Sequence, residues 1–445
     1  MEENKMGVMP VNKLLISMSL PMIVSMLVQA LYNIVDSVFV AQISENALTA
    51  VSLAFPLQNL MIAFAAGTAV GVNALLSRSL GEKNQEHVNS TALNAMFIFL
   101  ITAIVFMVLG LTISNIFFSI QTSNAEIIQY GDQYAMIVLG CSIGLFAQFL
   151  FERLLQATGR TLHTMCTQGL GAIINIILDP IFIFGYFGVP AMGVAGAAIA
   201  TVTGQIIAAI LAVILNVKCN HDIHINLKGF KPDLQVIKQI YSVGIPSIIM
   251  QSIGSVMTFG MNTILIAFST TATAVFGVYF KLQSFIFMPV FGLNNGMIPI
   301  LAYNLGARKR ERMIGTLKLA MIYATGMMII GVLLFEFIPG TLLGFFSASN
   351  AMLEIGTVAL RIIGIHFIFA GINIVCGALF QAIGKGTYSL ATSLIRQLFV
   401  LLPVAYLLSL TGNVNLVWLS FPIAEIASTV TSMVFLKKAL AHLDF

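Results

Sequence analysis

Polar side chains that could bind an ion interrupt two long apolar segments of this sequence. In the first segment, Gln29, Asn33 and Asp36 follow a spacing of four and three residues, and Tyr32 lies beside them. In a helix this spacing puts the three side chains on one face. If the segment crosses a membrane, a charged side chain within it costs roughly 2.5–3.5 kcal/mol on insertion scales and marks a functional site. The sequence therefore predicts that this face points into the protein and that Asp36 is functional.

The second segment carries another acid. Asn175 and Asp179 are four residues apart and share a helix face, and Pro180 follows, where it can weaken the backbone hydrogen-bond ladder. Counting from the outer ends of both segments puts Asp36 and Asp179 at similar depth, where they can approach each other. Two nearby carboxylates in a poorly hydrated site can hold and release a proton near neutral pH. We interpret the pair as an ion-coupling site; the alternative is that each aspartate only hydrogen-bonds neighbouring helices.

The segments that position these residues are typical of a membrane protein. Of the 445 residues 58% are hydrophobic and only 9% are charged, whereas roughly a quarter of the residues of a soluble domain are charged. The apolar runs are continuous rather than alternating, which favours helices over a β-barrel. The sequence predicts an all-α protein with about twelve transmembrane helices. They lie near 14–40, 48–76, 91–117, 128–155, 162–184, 192–216, 240–268, 272–302, 314–339, 353–380, 389–410 and 415–437.

The basic residues predict the orientation. All of the 21 Lys and Arg residues except Lys281, Arg361 and Arg396 fall at one face of this helix map. By the positive-inside rule, both termini lie in the cytoplasm of a bacterial inner-membrane protein. The net charge of +4 is thus explained by topology, and no nucleic-acid partner is expected.

An internal repeat divides the chain. Five landmarks occur twice in the chain, and each pair is separated by the same number of residues as Pro21 and Pro246. This constant separation indicates a duplication. The pairs are Leu20-Pro21 with Ile245-Pro246, Leu57-Gln58 with Leu282-Gln283, Gly67 and Gly71 with Gly292 and Gly296, Leu80-Gly81 with Leu305-Gly306, and Gln156-Ala157 with Gln381-Ala382. Each half holds six spans, so the halves are parallel and related by a pseudo-twofold axis along the membrane normal. We predict lobes at 1–215 and 239–445, joined by a cytoplasmic linker at 216–238.

The second lobe keeps a polar face but not the acids. Its equivalent stripe includes Gln251 and Asn262, which we expect to line a cavity between the lobes, whereas Met261 replaces Asp36 and Val404 replaces Asp179. Ion coupling is therefore predicted in the first lobe.

Five charged residues within or near the spans receive other interpretations. Lys281 and Arg396 either line the second lobe's side of the cavity or neutralise a partner such as Glu425. Glu152 and Glu336, like Arg361, lie nearer span ends, which favours snorkelling to the interface.

The sequence contains no complete motif for nucleotide binding, proteolysis, esterase chemistry or metal binding. Gly384-Lys385-Gly386-Thr387 lacks the spacing of a phosphate loop, and neither HExxH nor a nucleophile elbow is present. Cys219, His221 and His224 fit no metal-ligand spacing. We therefore expect no enzyme activity, no cofactor and no resident metal beyond a coupling ion.

Several motifs together resemble one family over essentially the full length. They are Ser19-Leu20-Pro21, Asp36, Leu155-Gln156-Ala157-Thr158-Gly159, the stretch NIILDP from Asn175, the stretch GVAGAAIAT ending at Thr201, and PILAYNLGA from Pro299. In this order and with this duplication, the sequence is similar to the multidrug and toxic compound extrusion (MATE) family, most of all its DinF-like bacterial branch.

The resemblance implies a V-shaped pair of six-helix bundles that exports cationic, amphipathic organic compounds in exchange for H⁺ or Na⁺, acting as a monomer in the lipid bilayer. Asp36, Asn175, Asp179 and Thr201 would form the ion site, with Gln29 and Tyr32 lining the cavity beside it. We expect Asn33, on the same helix face, to line this cavity as well. A carboxylate pair with an amide and a hydroxyl suits either ion.

Two alternatives remain. A flippase for a lipid-linked sugar would favour an arginine-rich cleft to bind pyrophosphate, whereas the first lobe offers carboxylates. A membrane-embedded enzyme would need an acid, a base and a nucleophile placed together, and the sequence suggests no such set.

Overall fold

A computed structural model describes residues 3–443, and these residues are almost entirely helical. The membrane-crossing segments are α1 (Val11–Ala41), α2 (Glu45–Gly81), α3 (Gln85–Gln121), α4 (Ala125–Gly140 and Ser142–Ala157), α5 (Thr161–Phe184), α6 (Val194–Cys219), α7 (Leu234–Ile266), α8 (Thr270–Gly306), α9 (Arg310–Phe337), α10 (Asn350–Gly364 and Phe367–Ala382), α11 (Gly386–Leu394, the π-helix Ile395–Leu401 and Leu402–Ser409) and α12 (Val414–Val417 and Ser420–Ala441). Short helices at Lys5–Val8 and Pro339–Gly344 precede α1 and α10.

Two of these segments are bent, α4 by 43° and α10 by 49°. Counted with each bent pair as one span, the described part of the chain supplies twelve segments long and apolar enough to cross a membrane. The predicted fold class and helix count are confirmed.

The repeat is visible in the local structure. The side chains of Ser44 and Ser269 cap α2 and α8 in the same way, each accepting a hydrogen bond from the backbone N–H three residues on. Lys83 and Arg308, which follow the carboxyl ends of the same helices, both have a positive φ, of 57° and 56°. The members of both pairs are separated by the offset of the repeat. Equivalent sequence therefore forms equivalent turns in the two halves.

The glycine landmarks lie where the lobes meet. In a transmembrane helix, glycine lets another backbone approach closely, and here a Cβ at each glycine would overlap or crowd a residue of the other lobe. The contacts pair Gly67 with Ile248 and Gly292 with Ile23, Gly71 with Ile240 and Gly244, Gly296 with Ser19, Gly81 with Tyr303, and Gly306 with Arg78. Most are related by the internal repeat. The lobes thus pack through α1, α2, α7 and α8 around a pseudo-twofold axis.

The contacts of Gly81 and Gly306 lie at the end of the molecule that carries most basic residues, the basic end. An amino-terminal strap, residues 3–10, also crosses this end and binds lobe two. The Asn304 side chain donates to the Met6 carbonyl at 3.0 Å. Arg312 donates to the Met6 and Met9 carbonyls at 3.1 and 2.6 Å. The basic end is therefore closed.

The segment between α6 and α7 forms a second strap, and it binds lobe one. Gln85 donates to the Asp222 carbonyl at 2.9 Å, and the Asp222 carboxylate forms an ion pair with Arg160 at 2.5 Å. Asn4 links the two straps, because its amide donates to the Thr158 carbonyl at 3.0 Å and to the Asp222 carboxylate at 3.4 Å. Each lobe is thus bound at the basic end by the segment that precedes the other lobe.

Candidate ion-coupling and substrate site

Asp36 of α1 and Asp179 of α5 meet inside lobe one. Their carboxyl groups are in hydrogen-bonding contact with each other. Asp179 is fully buried, and the Oδ1 atoms of both residues lack a protein partner among residues 3–443. Two carboxyl groups in such contact are stable only if a proton or a cation lies between them. The geometry therefore matches the predicted approach of the two acids and provides oxygen atoms for an ion.

Asn175 and Thr201 form a chain of hydrogen bonds on one side of the aspartate pair. With the Asn175 amide oriented so that both of its polar atoms are bonded, its nitrogen donates to Asp179 Oδ2 at 3.1 Å. Its oxygen accepts from the backbone N–H and the hydroxyl of Thr201 at 3.0 and 3.1 Å. Gly204 makes this short bridge possible, since a Cβ there would lie 2.6 Å from the Gly171 carbonyl oxygen. Sequence reasoning placed Thr201 only through the family resemblance, and the structure brings it to Asn175.

Two tyrosine side chains lie close enough to Asp36 and Asp179 to interact electrostatically with both carboxyl groups. Tyr32, predicted from its place beside the polar stripe, is half-buried on α1. Tyr134 of α4 is 3% exposed, and its hydroxyl donates to Gln58 at 3.4 Å. No sequence signal points to Tyr134, because an aromatic residue in an apolar run is equally typical of core packing.

A cavity of about 80 Å³ adjoins the pair within lobe one. Its lining includes Gln29 and Tyr32, which were predicted to line a cavity, and Asn175 and Thr201, which were predicted to belong to the ion site. The remaining lining residues are Ser25, Gln58, Ile62, Leu145, Gln148, Phe149, Glu152, Gln168, Gly171, Ala172, Gly204 and Gln205. The lining contains amides and one carboxylate but no lysine or arginine, so it favours a cationic or neutral ligand.

The structure contradicts the sequence-based prediction for Glu152. The position of this residue near a span end predicts snorkelling, but it is 4% exposed and lines the cavity. Its carboxylate accepts hydrogen bonds from Thr167 at 2.8 Å, Gln168 at 2.9 Å and Gln148 at 3.0 Å. The expectation was wrong because depth along one helix does not reveal which neighbouring helices enclose a side chain. Glu152 therefore adds a carboxylate to the cavity that adjoins Asp36 and Asp179.

Five predicted cavity residues lie outside this lining. Asn33, Gln251 and Lys281 are exposed, whereas Asn262 and Arg396 are half-buried. Their place in a wider cleft between the lobes stays a prediction.

The two basic residues have partners. The Lys281 ammonium lies 5.9 Å from the centre of the Phe346 ring, and Arg396 Nη1 lies 3.6 Å from Glu425 Oε1. Pairing with Glu425, one of the two interpretations of Arg396, is therefore present. Arg361 donates to the Glu336 carbonyl at 3.2 Å in an exposed position, as expected near span ends.

The sequence model of the MatE family matches residues 21–181 and 246–407. The chain belongs to the MATE family. The two matches begin at Pro21 and Pro246, which are the first landmark pair of the repeat, and this confirms the internal duplication.

Named relatives cover nearly the whole chain. It is 25% identical over 427 residues to the multidrug export protein MepA of Staphylococcus aureus (strain MRSA252), covering 95% of this chain and 93% of MepA. It is 27% identical over 429 residues to MepA of Staphylococcus haemolyticus (strain JCSC1435), covering 95% and 92%.

Solved structures have the same fold. An outward-facing multidrug resistance MATE transporter of the MOP superfamily superposes with a TM-score of 0.93 at 24% identity, covering 100% of this chain and 99% of that one. A MATE structure described as straight gives a TM-score of 0.90 at 24% identity, covering 100% and 99%. The two-lobe MATE fold is confirmed, and the DinF-like branch stays a prediction.

Proposed function

We propose that this chain is a secondary active multidrug efflux antiporter that exports cationic amphipathic compounds in exchange for H⁺ or Na⁺. The observation that carries the proposal is the contact between Asp36 and Asp179 inside one lobe of a MATE-fold protein. The multidrug export function named for the MepA relatives supports it. We place the protein in the bacterial cytoplasmic membrane, with both termini in the cytoplasm. It acts as a monomer, because one chain contains both lobes.

The ion site in this scheme comprises Asp36, Asn175, Asp179 and Thr201. A proton would be shared by the two carboxyl groups, whereas Na⁺ would be held by carboxylate, amide and hydroxyl oxygens, the ligands that hard cations prefer. A cationic substrate would compete for the same negative charge from the adjoining cavity, where Glu152 adds another carboxylate. Because the ion and the substrate favour different lobe arrangements, binding of one promotes release of the other.

The closed basic end supports an alternating-access cycle. With the termini in the cytoplasm, the lobes and both straps close the cytoplasmic side, as an outward-open state of such a cycle requires. Lobes 1–215 and 239–445 would then rock against each other along the glycine contacts, while the linker 216–238 releases from lobe one.

The runner-up function is a flippase for a lipid-linked sugar. The lining of the lobe-one cavity carries no arginine that could bind a pyrophosphate, which argues against it.

Accumulation of a fluorescent cationic dye in expressing cells tests the proposal. Wild type should lower the dye content, and Asp179→Asn should abolish this effect at equal expression. Asp132→Asn serves as the control, because that aspartate is bonded to Ser114 and Asn115 away from the site. Collapsing the proton and sodium gradients one at a time identifies the ion. If wild type never lowers dye content, or if Asp179→Asn retains full ion-coupled efflux, the proposal is wrong.

A further inference from the structure

A recess of about 440 Å³ lies at the basic end, across the seam between the two lobes. Arg78 and Glu82 line it from lobe one, and Leu305, Gly306 and Arg308 line it from lobe two. It shares no lining residue with the cavity that adjoins the two aspartates. Its volume is typical of small-molecule sites, roughly 300–1,000 Å³. The recess is therefore a separate candidate binding site.

The two lobes are in direct backbone contact within this lining. A Cβ at Gly306 would overlap the carbonyl oxygen of Arg78 and lie 3.1 Å from the backbone nitrogen of Glu82. Arg78 lies in the last turn of α2, and Arg308 follows shortly after the end of α8. The crossing of the two helix ends thus brings one arginine from each lobe to the same recess.

The Arg308 guanidinium is not engaged by the protein. Among residues 3–443 it has no hydrogen-bond or ion-pair partner, and the residue is exposed. Its neighbours Lys309 and Arg312, by contrast, both donate to carbonyl groups of the amino-terminal strap. The N–H donors of Arg308 are therefore available to a ligand in the recess.

Arg78 has a partner that a ligand can replace. Its Nε atom lies 2.9 Å from Glu82 Oε1, and the two side chains are 49% and 39% exposed. An ion pair this exposed contributes little to stability, because water and salt screen it. Two arginines against one glutamate leave the lining with a net positive charge. The recess thus favours an anionic ligand over a cationic one.

We propose that Arg78 and Arg308 together bind a phosphate group across the seam between the lobes. Guanidinium groups suit this ligand because each can donate two parallel hydrogen bonds to phosphate oxygens. Basic pockets between transmembrane helices on the cytoplasmic side also bind anionic lipid headgroups. The phosphate group therefore belongs either to a soluble phosphate or to a lipid, and both present the same oxygen atoms.

A bound phosphate group holds the basic end closed. It contacts both lobes only while Arg78 and Gly306 remain together, so it favours the closed arrangement over one in which the lobes separate here. At a ligand concentration about ten times its Kd, the closed arrangement gains roughly tenfold over the open one. In the transport cycle the ligand then slows opening of the basic end. This last step rests on the proposed function, whereas the binding site does not.

Pyrophosphate binding to the purified full-length protein tests the site. The protein is held in phosphatidylcholine nanodiscs without magnesium, and binding is measured by isothermal titration calorimetry at about 0.15 M ionic strength, where charges are screened beyond about 8 Å. Arg308→Asn and Arg78→Gln should each weaken binding by about tenfold or more, because a charge-assisted pair is lost. Asparagine suits position 308 because it tolerates the positive φ of 56° found there.

Two further variants keep the test decisive. Glu82→Gln should strengthen binding by about threefold or more, because this carboxylate no longer repels the anion or competes for Arg78. Misfolding cannot produce such a gain. Lys83→Asn is the matched control: Lys83 is the equivalent of Arg308 in lobe one and has a φ of 57°, but it does not line the recess. This substitution should change the affinity by less than about twofold.

Native mass spectrometry from nanodiscs of mixed phosphatidylglycerol and phosphatidylcholine distinguishes the two sources of phosphate. If a lipid headgroup is the ligand, wild type retains phosphatidylglycerol preferentially and Arg308→Asn loses this preference; pyrophosphate binding alone identifies a soluble phosphate. The site is refuted if wild type binds neither ligand, if Arg308→Asn binds as wild type does, if Lys83→Asn loses as much, or if Glu82→Gln weakens binding.

Spin labels at the exposed positions Glu86 and Glu311 test the effect on the lobes. Saturating pyrophosphate should raise the fraction of molecules with the shorter distance, and Arg308→Asn should abolish this response. An unchanged fraction in wild type would refute the effect on closure. Absence of dye efflux by wild type would instead refute the proposed function, and the binding measurements would still decide whether the recess takes a phosphate group.

Discussion

Alanine at two glycines of the basic end should push the lobes apart. A Cβ at Gly81 would overlap the carbonyl oxygen of Tyr303 and lie 2.9 Å from its carbonyl carbon. A Cβ at Gly306 would overlap the carbonyl oxygen of Arg78 and lie 3.0 Å from its carbon. In both cases the obstacle is the backbone of the other lobe, which cannot rotate away as a side chain can.

The size of the effect follows from these distances. Ordinary van der Waals contact begins at 3.4 Å. At Gly81 the two backbones must therefore move apart until the distance of 2.9 Å between the added Cβ and the Tyr303 carbonyl carbon reaches 3.4 Å, and farther still to relieve the overlap with the carbonyl oxygen. Overpacking of this kind typically costs about 1–3 kcal/mol. If the cost falls only on the state closed at the basic end, each substitution shifts the equilibrium between the two states by roughly 5- to 150-fold.

Distances between spin labels measure this shift. Glu86 and Glu311 are exposed, equivalent positions at the basic end, and Gln42 and Ala267 are exposed, equivalent positions at the opposite end. In a chain whose four cysteines are replaced, Gly81→Ala and Gly306→Ala should lengthen the first distance and shorten the second. The control is Gly277→Ala on α8, where a Cβ would meet nothing within 4 Å. Unchanged distances in both variants, or an equal change in the control, would refute this account of how the lobes close.

Three further outcomes are expected. Glu152→Gln should weaken binding of a cationic dye to purified protein by roughly fivefold or more, because a charge-assisted contact within the cavity is lost. Arg312→Gln should lengthen the Glu86–Glu311 label distance, because the strap loses its bonds to the Met6 and Met9 carbonyls, and bonds from a charged donor contribute about 1.5–3 kcal/mol. A hydrogen bond from Lys309, reinforced by the positive charge of the lysine, lowers the pKa of Glu3. The contact between Glu3 of the strap and Lys309 is therefore fully formed above the ordinary glutamate pKa, and it is lost as the pH falls through the lowered pKa. Strap release in acid, followed by the same labels, should accordingly disappear in Glu3→Gln.

Each of these outcomes has a control. Glu336→Gln, which changes a half-buried acid near a span end of lobe two, should leave dye binding unchanged. Arg361→Gln should leave the label distance unchanged. An effect of similar size in either control would contradict the corresponding prediction, as would acid release that persists in Glu3→Gln.

The pattern of apolar and polar residues in the sequence was sufficient to predict the helical architecture and the two aspartates at the centre of the site. Continuous apolar runs predict twelve helices because no other hydrogen-bonded element of that composition can cross a bilayer, and the constant offset predicts two similar lobes. Helical periodicity placed Asp36 with Gln29, and Asp179 with Asn175, because residues three and four apart share a face. The cost of a buried charge then required the two acids to point inward, where the structure shows them in contact.

Tertiary packing alone decided the rest. Periodicity shows which residues share a face, but not which helix that face meets. Sequence reasoning assigns Glu152 to an interface because its depth can be counted along the chain, whereas its neighbours Thr167 and Gln168 cannot be identified that way. The crossing of the straps could not be predicted either, because their bonds join residues far apart in the chain, such as Met6 and Asn304, which are 298 positions apart. Such contacts depend on how the two bundles pack together, and the local sequence of either segment does not show which residues it will contact.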